Sequence, residues 1–61
     1  MKQYYFNGRL NVSPQVRIET WTHTDGFTSL NEAIDFCQKN LFDYTIYHFE
    51  NKKKIIDIQI N

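Results

Sequence analysis

Only one stretch of this 61-residue chain carries helical spacing, and segments that alternate with a period of two enclose it on both sides. Leu30, Ala33, Ile34, Cys37 and Leu41 recur at three- and four-residue intervals and form one apolar stripe. Asn31, Glu32, Asp35, Gln38 and Lys39 occupy the opposite arc. Ser29-Leu30-Asn31-Glu32 reads as a capping box, in which the serine hydroxyl accepts from the amide three residues on and the glutamate reaches back. Asp25-Gly26 supplies a turn before the stretch and Asn40 a stop after it, so a helix of about three turns is predicted. Phe36 lies well off the stripe and is expected to fold over the sheet edge and cover core, the other option being a surface anchor.

The flanking segments read as strands. Tyr4, Phe6, Leu10 and Val12 alternate with Gln3, Tyr5, Asn7, Arg9 and Asn11. Asn7-Gly8 interrupts them as a tight turn or a bulge; the bulge is preferred, because a turn would set Phe6 beside Arg9. Ser13-Pro14-Gln15 makes a turn, since proline presets the corner and cannot donate to a ladder. Val16, Ile18, Thr20 and Thr22 then alternate with Arg17, Glu19, Trp21 and His23. After the helix, Asp43 leads into a third strand over residues 44–49, and Glu50-Asn51-Lys52-Lys53 turns into a fourth containing Ile56, Ile58 and Ile60. The expected fold is α+β: a single ββαββ domain over residues 1–61, a four-stranded antiparallel sheet with the helix on one face.

Ten aromatic side chains are more than one short helix can roof. The residues expected beneath it are Tyr4, Phe6, Leu10, Val12, Val16, Ile18, Ile46, Ile56, Ile58 and Ile60. Alternation then sends Tyr5, Arg17, Glu19, Trp21, His23, Thr45, Tyr47 and Phe49 to the other face. The last hairpin's register is the weak joint: a loop one residue longer exchanges Tyr44, Ile46 and His48 with Thr45, Tyr47 and Phe49. An outer face bearing Trp21, Tyr47, Phe49 and Tyr5 beside Arg17 has three explanations. Its rings pair across strands for stability alone, they meet another protein or a second copy of the chain, or they stack unpaired nucleobases with Arg9, Arg17 and residues 52–54 holding phosphates.

Size and charge narrow the classes. A chain this short buries about 60% of its unfolded surface, so a partner or a second copy would help it. Seven Lys and Arg balance seven Asp and Glu, which argues against a dedicated duplex-DNA binder. The lone Cys37 cannot make an internal disulfide, the first residues lack a signal peptide's apolar run, and no stretch approaches the roughly 20 apolar residues of a membrane span. A cytoplasmic setting is expected, and the Ile-, Asn-, Lys-, Tyr- and Phe-rich usage, with its AT-rich codons, suggests a bacterial or phage source.

No catalytic, cofactor or metal signature stands out. His23 and His48 with one cysteine do not supply the three or four ligands of a zinc site. Cys37 lies on the apolar stripe, where a thiol behaves as a small hydrophobe. Asn7-Gly8 and Asp25-Gly26 are turn dipeptides rather than phosphate-cradling loops. Lys52-Lys53-Lys54 reads as a solvated turn whose charges discourage edge pairing. The expectation is a non-enzymatic adaptor or inhibitor, with a phage or mobile-element protein that blocks a host factor as one form of it, whose contact residues are Trp21, Tyr47, Phe49, Tyr5 and Arg17. A single-stranded nucleic-acid binder and a structural homodimer subunit are the alternatives.

Overall fold

A computed structural model, which describes residues 3–20 and 26–61, has the order ββαββ. The elements are β1 (Tyr5–Leu10), β2 (Arg17–Glu19), α1 (Leu30–Asn40), β3 (Leu41–Glu50) and β4 (Lys53–Ile60). They form one antiparallel sheet in the spatial order β2-β1-β3-β4.

The helix starts where its cap dictates. Ser29 is extended, and its hydroxyl accepts from the Glu32 N–H at 3.4 Å. Ala33 and Cys37 are fully buried at the centre of the stripe. Asn40 closes the helix, donating its side-chain amide to the Phe36 carbonyl at 2.9 Å. There is no loop after it. Leu41 is already in β3, three residues earlier than the sequence suggests, because β1 captures the chain at once: Asn11 N–H donates to the Asn40 carbonyl at 2.8 Å and Leu41 pairs with Leu10. Of the residues gained, Phe42 is the extra one, absorbed by a bulge between the Arg9 and Leu10 pairs.

Asn7-Gly8 is neither turn nor bulge. Both residues pair continuously with β2 and β3, and Gly8 sits opposite Ile18 and Tyr44. What the glycine supplies is room, since a Cβ there would run into the Asp43 carbonyl and the Tyr44 side chain.

Turn chemistry behaves as expected at Ser13-Pro14-Gln15, where Val16 N–H donates to the Ser13 carbonyl at 2.9 Å. The strand that follows is shorter than the alternation implies. Val12 and Val16, expected in the core, are 91% and 44% exposed, because they belong to the loop and lie beyond the reach of the helix. Thr20, just past the end of β2, meets β1 through its side chain: its buried hydroxyl accepts from Phe6 N–H at 2.7 Å and donates to the Phe6 carbonyl at 3.3 Å. Thr22 and His23 lie outside the described residues.

Helix α1 lies across the two central strands and approaches neither β2 nor β4 closely. Phe6, Ala33, Cys37, Leu41, Tyr44 and Ile46 make the core, and Ile18 and Ile58 reach it from the flanking strands. Phe36 covers core as expected, 5.2 Å from the Phe6 ring and 5.6 Å from Phe27. Phe27 is held there by two backbone bonds to Tyr4, of 2.7 and 2.8 Å. Among the described residues no helix is long and apolar enough to cross a membrane.

The last strand departs from simple alternation. Ile58 pairs with Ile46, but Ile56 pairs with Tyr47, so Asp57 is an extra residue. This bulge reverses the parity of residues 53–56. Ile56, expected under the helix, is on the outer face and 48% exposed, while Ile55 takes the helix side. Asp57 turns inward and meets His48 Nδ1 at 2.7 Å.

Candidate functional site: the outer face of the sheet

Strand pairing brings three of the expected contact residues together. Tyr5 lies opposite Tyr47, and Phe49 follows Tyr47 by two positions on the same face of β3. Their ring centroids form a near-equilateral triangle: Tyr5–Tyr47 and Tyr5–Phe49 at 5.9 Å, Tyr47–Phe49 at 5.8 Å. The first pair is stacked and the other two meet edge to face, arrangements that the ring quadrupoles favour.

Lys54 closes the group from β4. It pairs with Phe49 and sets its ammonium 4.2 Å from the centre of the Tyr47 ring. Tyr47 is thereby left only 4% exposed, and burial is the main cause that pushes its hydroxyl above the ordinary tyrosine range. Phe49 is 54% exposed. Phe49 and Ile56 are therefore the reachable apolar side chains of this part of the face, and Tyr47 is packed beneath them.

The cluster borders an open depression of about 450 Å³ lined by Tyr5, Asn7, Glu19, Tyr47, Phe49 and Lys54. Arg17 stands on its polar side, donating to Asn7 Oδ1 at 2.9 Å, and is exposed. It also lines a smaller polar hollow of about 150 Å³ with Asp43, Thr45 and Gln59. Farther along the same face, Arg9 grips Asp43 with contacts of 2.8 to 3.2 Å and lies over the exposed Phe42 ring. The guanidinium's hydrogen bonds hold the Asp43 carboxyl below its usual range, against the opposing effect of burial. Trp21, the remaining expected anchor, lies outside the described residues.

Sequence reasoning set residues 52–54 beside this face only as phosphate holders in the nucleobase reading, otherwise as turn, and it missed Ile56 as a member. No local signal marks the bulge that turns Ile56 outward. On the helix side, Cys37 is fully buried and its thiol is pushed up to about 12 by desolvation, which leaves almost no thiolate near neutrality.

No family model, no curated protein and no solved structure matches this chain.

Proposed function

We propose that the chain is a small binding protein, an adaptor or inhibitor, that docks on a larger protein through the outer face of its sheet. The observation that carries this reading is the half-exposed pair Phe49 and Ile56, seated on the Tyr5–Tyr47–Lys54 floor beside a depression of about 450 Å³. A compact apolar patch rimmed by Asn7, Glu19 and Arg17 has the anatomy of a protein contact: an apolar centre and a polar margin.

The face is a better contact than the sheet edge. β4 carries Lys53 and Lys54, a bulge, and an inward-pointing Asp57, three devices that discourage strand addition. β2, at the opposite edge, is three residues long. Protein also suits the face better than unpaired bases do. The rings pack against one another with no slot between them, Lys54 already covers Tyr47, and Arg9 is paired with Asp43. The residue usage supports a bacterial or phage source and the lone Cys37 a cytosolic setting, and blocking a host factor is an action open to so small a surface.

The test compares the wild-type chain with Phe49→Ala/Ile56→Ser, both immobilised and challenged with the proteins of a bacterial cytosol. A protein held by the wild type, and lost by a double variant that still melts cooperatively, supports the face. A protein held equally by both removes it. Binding to short single-stranded oligonucleotides that weakens steeply with salt would transfer the face to nucleic acid.

A further inference from the structure

We propose that β4 has two registers on β3, and that the His48–Asp57 hydrogen bond selects the one seen here. The observed register carries several local costs. Its two-residue turn puts Asn51 at φ 50° and Lys52 at φ 67°, and a left-handed lysine lacks the local side-chain bonding that makes asparagine tolerable there. Asp57 is left as a bulge with no backbone pairing residue on β3, and only its side chain reaches across to that strand.

Moving residues 53–57 by one position removes the bulge while leaving Ile58, Gln59 and Ile60 in place. Tyr47 then opposes Asp57, His48 opposes Ile56, Phe49 opposes Ile55 and Glu50 opposes Lys54. The turn becomes a three-residue loop, Asn51-Lys52-Lys53, of a kind that needs one left-handed residue rather than two. Ile56 joins Ile58 and Ile60 on the helix side, the alternation written in the sequence, while Ile55 takes its place outside, so the exchange of isoleucines is itself neutral. A cation still faces Glu50, Lys54 in place of Lys53.

Against those gains stand two contacts found only in the observed register. One is the 2.7 Å bond between the buried His48 ring and Asp57; the other is the Lys54 ammonium over Tyr47. The slip breaks both. It also changes the outer face beside Tyr47 from Lys54 and Ile56 to Ile55 and Asp57, which replaces a cation by a carboxylate. A partner reading that face would therefore meet opposite charges in the two registers. The slip itself is a property of the chain alone and does not depend on the docking reading.

Asp57→Val tests it, since this variant removes the acceptor of the His48 bond and places a β-branched side chain where the shifted strand faces outward. NMR cross-strand contacts are expected to join Tyr47 to position 57 and His48 to Ile56, in place of Tyr47–Ile56 and His48–Ile55. A variant that keeps the Tyr47–Ile56 contact overturns the proposal. Should the variant not fold, saturation-transfer exchange measurements on the wild-type amides of residues 53–57 decide. A minor state whose population falls about fivefold in Lys52→Gly, as relief of one left-handed side chain requires, supports the second register. Absence of exchange in the wild type refutes it.

Discussion

Gly8 lies directly opposite Tyr44, and the missing side chain at Gly8 is what allows β1 and β3 to pair beneath the tyrosine. Gly8→Ala drives a methyl group into the Asp43 carbonyl and the Tyr44 Cβ, both parts of a paired central strand that cannot swing aside. Overpacking of this kind costs about 1–3 kcal/mol. Chemical denaturation of Gly8→Ala should show a lower midpoint with an unchanged slope.

Tyr47 and Phe49 should separate stability from binding. Tyr47 is 4% exposed, so Tyr47→Ala is expected to cost about 3 kcal/mol, in the range of other large-to-small losses at buried rings. Phe49→Ala removes a half-exposed ring and should cost roughly 1 kcal/mol or less. Thermal melts of the two variants give the ranking. A Phe49→Ala loss as large as that of Tyr47→Ala would make Phe49 a structural residue.

The Thr20 hydroxyl both accepts from and donates to the Phe6 backbone in a fully buried position. Thr20→Val keeps the shape and leaves the Phe6 N–H unpaired, at a cost of about 1–3 kcal/mol. Thr20→Ser retains the hydroxyl and should lose distinctly less. Hydrogen exchange at the Phe6 amide supplies a local readout, fast in the valine variant and slow in the serine one.

Asp43 predicts the acid limb of the stability profile. Its carboxyl is held below its ordinary value of 3.8 by hydrogen bonds from Arg9. A depressed carboxylate stabilises the fold above its unfolded pKa, and that contribution is lost as the pH falls through the folded value. Melting temperatures measured below pH 4 should therefore fall more steeply for the wild type than for Asp43→Asn. Parallel curves for the two would show that the ion pair contributes nothing.

Cys37 should resist thiol reagents in the native state. Its pKa, pushed from 9.0 to about 12, together with complete burial, leaves neither thiolate nor access. Labelling at pH 8 is expected to proceed at the rate of opening and to accelerate sharply in denaturant. The same raised value means that this group's contribution to stability is present below pH 9 and is lost as the pH climbs toward 12.

Much of this architecture was legible because it rests on neighbouring residues. The Ser29–Glu32 cap, the stripe through Ala33 and Cys37, and the proline turn are each decided within a few positions. Side-chain parity in β3 was legible too: placing Ile46 inside sends Tyr47 and Phe49 outward together, as observed. The make-up of the outer face was read only in part. Tyr5, Tyr47 and Phe49 do converge, yet nothing local to Lys54 says that its ammonium will cover Tyr47.

Local spacing sets which segments are helix and which are strand, because period and capping depend on residues within one turn or one pleat of each other. Where each strand gains a residue is settled by its neighbours. Phe42 is bulged because the helix hands β3 to β1 without a loop, and Asp57 because His48 stands across the hairpin to receive it. Those two insertions come from pairing distant segments in three dimensions. They decide which side chains the outer face presents, since one extra residue in a strand reverses the parity of the residues on one side of it.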